Sequence, residues 1–176
     1  MGYHHLALAA RDMAAIHNCY EGVMGFELVK AEIGASPQGG WAKHFFYRME
    51  DDSKFIAFWE MHDFPGVPED FPTNLSKAAG LPDHINHIAF DVTSMEQLQS
   101  FKQRWLDAGL DVTEIDHNWC YSIYTKDPND NLVEFCVTTG SFTEQDRSEA
   151  LAALTSTEPE FSKPPAQVQM HRADAG

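Results

Sequence analysis

The feature that most constrains the fold of this chain is an internal repeat. When His5 is aligned with His87, residues 3–33 and 85–116 follow the same pattern of a strand, a helical segment, a glycine and a second strand. The two first strands read His-Leu-Ala-Leu and His-Ile-Ala-Phe. Because side chains alternate along a strand, each histidine shares one face with an alanine, and the large apolar residues share the other. The chain is therefore predicted to fold as two similar modules.

Each repeat predicts one helix followed by three strands. The first helix begins after Asp12, a good N-cap, and ends at Gly25. The second begins with the capping-box pair Ser94 and Gln97 and ends at Gly109. Further β-like segments are predicted at residues 26–32, 43–49 and 55–61, and at residues 110–115, 121–125 and 132–138. The order βαβββ thus occurs twice, which predicts an α+β fold.

The chain divides into four parts. Residues 1–62 form the first module and residues 84–140 the second. Between them, residues 63–83 carry four prolines and two glycines, which is typical of a connector. Residues 141–176 predict one short helix around 144–154, followed by a polar, proline-containing tail that we expect to be mobile.

Composition excludes several classes of partner and location. The formal charge is −15, from 12 basic and 27 acidic residues, so nucleic acid and anionic membranes should be repelled. The three cysteines are odd in number and lack CxxC spacing, which argues against a disulfide framework and a thiolate zinc site. No targeting segment and no run of 18 apolar residues is present, so we expect a cytoplasmic protein.

Two histidines and two glutamates recur in the repeat. His5 and His87 begin the first strands, and Glu60 and Glu134 interrupt the apolar last strands. A single such residue is more often a hydrogen-bonded part of the core, but repetition of the whole set favours a metal site. Imidazole and carboxylate ligands suit Fe(II), Mn(II), Ni(II) or Zn(II), and we expect the four groups to converge when the modules pair.

These features resemble the vicinal oxygen chelate superfamily, which includes glyoxalase I, extradiol dioxygenases, fosfomycin-resistance proteins and bleomycin-binding proteins. The resemblance covers about residues 3–139. It implies that paired βαβββ modules form a cup-shaped, partly closed mixed sheet around one metal, with helices outside. It places the metal ligands at His5, Glu60, His87 and Glu134, and we expect a homodimer that acts on a small molecule.

Residues 115–134 also resemble the signature stretch of extradiol dioxygenases. The resemblance implies that His117 is an active-site histidine, that Tyr124 hydrogen-bonds a bound catecholate, and that Glu134 is the carboxylate ligand. The sequence departs from the pattern at Asp130, where glycine or proline is usual. Only His117 and Tyr124 distinguish this group from glyoxalase-like members.

Three functions stay open on the sequence alone. The leading hypothesis is an extradiol-type dioxygenase with Fe(II) on His5, His87 and Glu134. The alternative enzyme is a glyoxalase-like lyase or isomerase in which Glu60 is a fourth ligand to Ni(II) or Zn(II). The third is a metal-free protein that sequesters a small molecule, and the fold alone does not choose among them.

The acid–base group of a dioxygenase is not assigned by the resemblance. Ser53 and Lys54 stand where extradiol enzymes usually carry paired histidines, one of which is the acid–base catalyst. His44 and His117 are the candidates to replace it.

Overall fold

The computed structural model of the protein describes residues 2–50, 53–158 and 160–174. Its strands form two mixed sheets. The first sheet consists of β1 (His5–Ala10), β2 (Glu27–Ala35), β3 (Trp41–Arg48) and β4 (Phe55–His62). The second consists of β5 (His87–Asp91), β6 (Val112–Asp116), β7 (Cys120–Lys126), β8 (Leu132–Thr138) and β9 (Gln167–His171). The helices are α1 (Met13–His17), which continues as a π-helix (Asn18–Val23), α2 (Leu75–Ala78), α3 (Met95–Asp107) and α4 (Glu144–Ala153).

The strand order confirms the predicted repeat. It is β1-β4-β3-β2 in the first sheet and β5-β8-β7-β6-β9 in the second. In each module the first strand is parallel to the last, and the other pairs are antiparallel. The α+β class and the two βαβββ modules are thus confirmed, and the two sheets of one chain are not closed on each other. Among the described residues, no helix is long and apolar enough to cross a membrane.

The helices begin where the sequence predicts. The Asp12 carboxylate accepts a hydrogen bond from the Ala15 N–H at 2.9 Å. The Ser94 hydroxyl accepts one from the Gln97 N–H at 3.2 Å. These bonds satisfy backbone groups that have no partner within the first turn of a helix, so both N-termini are fixed by local sequence.

One face of each sheet is buried in a core that the two modules share. Leu8 and Phe58 lie on this face of the first sheet, and Phe90 and Phe135 on this face of the second. Phe26 connects them, with its ring centre 5.1 Å from that of Phe90 and 6.3 Å from that of Phe135. We call this the helix face, because residues of α1 and α3 belong to the same core.

The opposite face of each sheet, which we call the cup face, carries the aligned histidines. His5 and Ala7 in β1 are exposed, as are His87 and Ala89 in β5. Phe90, one position beyond Ala89, is buried on the helix face. The alternation predicted from the two first strands is therefore confirmed, and both cup faces lie outside the shared core.

The expectation of a mobile tail is wrong for residues 167–171. Helix α4 forms as predicted, but the later segment pairs as β9 with β6. His171 also contacts Glu114, a buried carboxylate that accepts hydrogen bonds from Gln99 at 3.0 Å and from Lys102 at 2.9 Å. The tail is thus held both by the backbone ladder and by this charged cluster.

The connector forms no strand, as predicted, and is tied to the turn between β7 and β8. The Leu75 N–H donates to the Asn131 side chain at 2.8 Å, and the Thr73 hydroxyl donates to the Asn129 carbonyl at 3.2 Å. The Asn129 side chain in turn donates to the Ala9 carbonyl at 3.0 Å. This turn therefore joins the connector, the first sheet and the second sheet.

Candidate metal and substrate site

His87 and Glu134 meet on the cup face of the second sheet. In the β5–β8 ladder Glu134 is opposite Ala89, two residues after His87, so the imidazole and the carboxylate project from the same face. His87 Nε2 lies 3.2 Å from Glu134 Oε2. The other ring nitrogen, Nδ1, lies 3.2 Å from the His84 carbonyl. A proton on Nδ1 would satisfy that carbonyl and leave Nε2 as the metal-binding atom.

Tyr124 and His117 extend this cluster. Tyr124 in β7 is opposite Glu134 in the ladder, and its hydroxyl lies 2.9 Å from His117 Nε2. His117 is in the turn after β6, and its backbone N–H donates to the Cys120 carbonyl at 2.9 Å. Burial and the nearby Glu134 charge raise the pKa of Tyr124 well above its ordinary value. The phenol therefore stays protonated at neutral pH and can donate a hydrogen bond.

His5 lies on the cup face of the first sheet. Its ring centre is 5.6 Å from that of Phe46 and 6.3 Å from that of His44. Its Nδ1 is 2.9 Å from Nδ1 of His4. Within the described parts of one chain, no three His, Cys, Asp or Glu side chains are grouped closely enough to hold a metal ion. The expected convergence of four ligands is therefore not seen in one chain.

Glu60 lies on the other face of that sheet, which corrects the prediction that it matches Glu134. Ala57, opposite Ala7 in the β1–β4 ladder, is the equivalent of Glu134. Glu60 is three residues further, and an odd offset turns a side chain to the opposite face. It accordingly lies 2.6 Å from Lys43 Nζ and 3.1 Å from His62 Nε2.

These partners also set the protonation of Glu60. Burial alone would raise the pKa of this carboxyl, but hydrogen bonds from Lys43 and His62 outweigh burial and lower it. Glu60 is thus an ionised partner of basic groups on the helix face. That Glu60 is a fourth metal ligand is still a prediction. Its position on the helix face does not favour that role.

The donor atoms on the cup faces suit a divalent metal. His87 Nε2 and Glu134 Oε2, 3.2 Å apart, would be the imidazole and carboxylate donors that hold such an ion. His5 would add a second imidazole, but it belongs to the other sheet. The site residues therefore fit the ion in chemistry, with two of the three donors already adjacent.

A cavity also lies on the cup face of the first sheet. This cavity has a volume of about 570 Å³, and its wall includes Trp59, Ala42 and Met61. His44 lies beside it, buried and stacked on Trp59 with 3.7 Å between ring centres. Aromatic residues along these strands are as typical of an ordinary core as of a pocket, so the cavity depends on packing that the sequence does not reveal.

Solved structures share this fold at low sequence identity. A glyoxylase/bleomycin resistance protein/dioxygenase domain from Frankia sp. EAN1pec is 18% identical, with a TM-score of 0.59 over 78% of this chain and 98% of that one. The fosfomycin resistance protein FosX from Listeria monocytogenes is 17% identical, with a TM-score of 0.55 over 83% and 98%. A lactoylglutathione lyase from Agrobacterium tumefaciens is 21% identical, with a TM-score of 0.51 over 77% and 92%. At these identities the likeness establishes the fold alone.

No curated protein matches the sequence. A family model does match it, over residues 2–135, and is described as the Glyoxalase/Bleomycin resistance protein/Dioxygenase superfamily. The match includes both aligned histidines, Tyr124 and Glu134.

Proposed function

Because this chain belongs to the glyoxalase/bleomycin resistance protein/dioxygenase superfamily, we propose that it is a metal-dependent enzyme that cleaves a catechol-type aromatic diol with dioxygen. The observation that carries this proposal is the position of Glu60. Its carboxylate lies on the helix face with Lys43 and His62, away from the face that carries His5. The donor set on the cup faces is then His5, His87 and Glu134.

Two imidazoles and one carboxylate leave coordination positions open. This set is typical of non-haem Fe(II) oxygenases, which need room for both an organic substrate and dioxygen. A glyoxalase-like lyase or isomerase with four protein ligands would require Glu60 on the cup face. The position of Glu60 therefore supports the dioxygenase over the isomerase, and Fe(II) over the Ni(II) or Zn(II) of the four-ligand alternative.

We further propose that the site is completed in a homodimer. The first module of one copy would bring His5 towards His87 and Glu134 of a second copy. Two observations support this arrangement: both cup faces lie outside the core of one chain, and they expose large apolar side chains. Trp59 is 39% exposed on the first cup face and Met170 is 53% exposed on the second. Burying such surface is the main favourable term in subunit association.

Tyr124 and His117 have distinct roles in this proposal. When bound, Fe(II) supplies the redox chemistry that joins the diol to dioxygen. The Tyr124 phenol, kept protonated by burial, donates a hydrogen bond that orients a substrate oxygen. His117, 2.9 Å from that hydroxyl, accepts a proton from the diol as its general base. Because Glu134 is opposite Tyr124 in the ladder, the metal ligand and the orienting phenol lie next to each other on adjacent strands.

A matched pair of glutamine variants tests the donor set. Wild type, Glu134→Gln and Glu60→Gln are loaded anaerobically with Fe(II), desalted and analysed for iron. Wild type and Glu60→Gln should keep about one ion per chain, whereas Glu134→Gln should lose it. The same samples are then assayed for oxygen uptake and ring cleavage with substituted catechols. Loss of iron from Glu60→Gln, or iron retention without cleavage of any catechol by wild type, would contradict the proposal.

Co-expression of two inactive variants tests the shared site. His5→Ala and Glu134→Gln homodimers should each lack iron. In a mixed dimer, the intact first module of one copy faces the intact second module of the other, which restores one site of two. An equal mixture would then contain about one quarter of the wild-type iron if copies pair at random. If each site belonged to one chain, the mixture would contain none.

A further inference from the structure

Met170 lies in the same row of the second sheet as the candidate metal ligand Glu134. In the ladders, Glu134 of β8 is opposite Tyr124 of β7, and Tyr124 is opposite Thr113 of β6. Thr113 is in turn opposite Met170 of β9. Because residues opposite each other in a ladder share one face of the sheet, all four side chains project from the cup face. The row that contains the metal ligand therefore ends at Met170.

A hydrogen bond fixes the position of the Met170 side chain. The Thr113 hydroxyl donates to Met170 Sδ at 3.6 Å, so the thioether lies over the cup face beside β6. Met170 is nevertheless 53% exposed. A thioether is polarisable and makes favourable contacts with aromatic rings. This side chain is thus oriented on the cup face and accessible to an apolar group that enters the cup.

The strand that carries Met170 is fixed at both ends. Before β9, the Ala166 N–H donates to the Asp116 carbonyl at 2.9 Å. After β9, the Ala173 N–H donates to the Asp111 carboxylate at 3.0 Å. A strand held in this way presents Met170 at a defined position, which is what a wall of a binding site requires.

The cup face around Met170 is apolar. Val168, two residues earlier in β9, projects from the same face and is 64% exposed. It is opposite Ile115 in β6. Asp111 and Arg172, which lie beyond the end of this ladder, form an ion pair with each other. The patch of Ile115, Val168 and Met170 therefore favours an apolar group over a charged one.

The distance along the row indicates how long the ligand is. Neighbouring strands lie about 4.8 Å apart, so Met170 is two strand spacings, or roughly 10 Å, from Tyr124. A single diol ring bound beside Tyr124 leaves most of this distance empty. A second ring attached to the diol ring would reach the patch.

We propose that β9 forms a wall of the substrate site, and that Met170 and Val168 bind an apolar second ring attached to the diol ring of the substrate. The proposal rests on the proposed function, because Glu134 and Tyr124 determine where the diol lies. β9 comes after residues 2–135, the part of the chain that matches the family model. The second ring is thus recognised by a segment that the model does not include.

The first test uses the full-length protein loaded with Zn(II), which is redox-inert, and two probes. 4-Phenylcatechol carries a second ring, and catechol does not. The methionine methyl groups are labelled with carbon-13 for NMR, and the Met170 signal is assigned by its loss in Met170→Leu. 4-Phenylcatechol should shift this signal, because an aromatic ring shifts nearby methyl groups, and catechol should shift it much less. The Met95 signal is the internal control and should not move, because Met95 is exposed at the start of α3.

The second test measures the affinity of both probes by calorimetry. Met170→Ala should weaken binding of 4-phenylcatechol roughly 3- to 10-fold and leave the affinity for catechol unchanged, since only the contact with the second ring is lost. Met170→Leu should keep most of the affinity. Gln169→Ala is the matched control: Gln169 is opposite Glu114 and so lies on the other face of the same strand, and its loss should change neither affinity.

Failure of this proposal is distinguishable from failure of the proposed function. No saturable binding of 4-phenylcatechol, or binding without a shift of the Met170 signal, would overturn the wall even if the Fe(II) protein cleaves other catechols. An equal loss of affinity for both probes in Met170→Ala would show that Met170 stabilises the fold or the dimer instead, and would overturn it as well. If Met170 responds as expected and the Fe(II) protein cleaves no catechol, the dioxygenase is refuted and the wall stands.

Discussion

Glu114 fixes the C-terminal strand β9 to the body of the protein, so its substitution tests whether the tail is part of the fold. Its carboxylate accepts hydrogen bonds from Gln99 and Lys102 of α3 and contacts His171 of β9. Glu114→Gln keeps the size of the side chain but removes the charge that these groups share. We expect the half-buried Lys102 and His171 to lose their buried partner, which destabilises the strand and the whole domain.

The expected magnitude follows from the pKa of Glu114. Burial alone would raise it, but the hydrogen bonds from Gln99, Lys102 and His171 outweigh burial and lower it from 4.5 to about 2. Because the folded-state pKa is depressed, the stabilisation is complete above the unfolded-state pKa and is lost as pH falls from about 4.5 through about 2. The difference between the unfolded-state and folded-state pKa of Glu114 corresponds to about 3 kcal/mol in the free energy of unfolding at neutral pH.

The assay is urea unfolding followed by circular dichroism between pH 7 and pH 3. The difference in free energy of unfolding between wild type and Glu114→Gln should fall from about 3 kcal/mol at pH 7 to about 1 kcal/mol at pH 3. Glu32→Gln is the control: its carboxylate forms an exposed ion pair with Lys30 and should change stability by less than about 0.5 kcal/mol. A Glu114→Gln effect as small as that of the control, or one independent of pH, would refute the reasoning.

Three further substitutions, one of them with a matched control, have defined outcomes. His117→Phe should lower catechol turnover by roughly 10²-fold with unchanged iron content; steady-state rates equal to wild type would refute its role as a base. Tyr20→Phe removes a buried hydroxyl that donates to Asp127 at 2.9 Å and should cost about 1–3 kcal/mol in urea unfolding. Gly40→Ala should cost at least about 2 kcal/mol, because Gly40 has a φ of +74° and an added Cβ would meet the backbone at the end of β4. Gly22→Ala, where nothing lies within 4 Å, should instead be neutral or stabilise by up to about 1 kcal/mol, and equal effects at both glycines would contradict this account.

Much of the fold could be predicted because its signals are local. The aligned histidines define the repeat, and the caps at Asp12 and Ser94 define the helix starts. The π-helix after α1 could not be predicted, because it depends on packing. Tyr20 is completely buried in that segment, with its ring centre 4.7 Å from that of Phe58, and a π-helical turn at such a place is set by tertiary contacts rather than by propensity.

The tail shows the opposite case, in which composition was misleading. Residues 155–176 are polar and proline-containing, and such composition is typical of a mobile segment. The strand within them forms because β6 offers an unpaired edge, and residues 167–171 satisfy its backbone groups. This pairing joins segments more than fifty residues apart, so no local pattern predicts it.

The face of Glu60 was, by contrast, available from the sequence. Ile56 and Phe58 are buried on the helix face, and Glu60 continues the same alternation, whereas Glu134 falls between Val133 and Phe135. Comparing each glutamate with its buried neighbours, instead of with its place in the strand, would have separated the two.

Alternation along a strand reveals which side chains share a face, but not which faces oppose each other. The helix faces of both modules are buried in one core through Phe26, so the cup faces of a single chain are left outside that core. In the proposed homodimer, the site joins His5 to His87 and Glu134 by bringing a cup face of one copy to that of another. The two modules follow each other along the chain in the same order whether a metal site forms within one copy or between two copies, so the sequence does not distinguish these cases. Subunit pairing is therefore the step that the sequence leaves open, and the mixed dimer of His5→Ala and Glu134→Gln decides it.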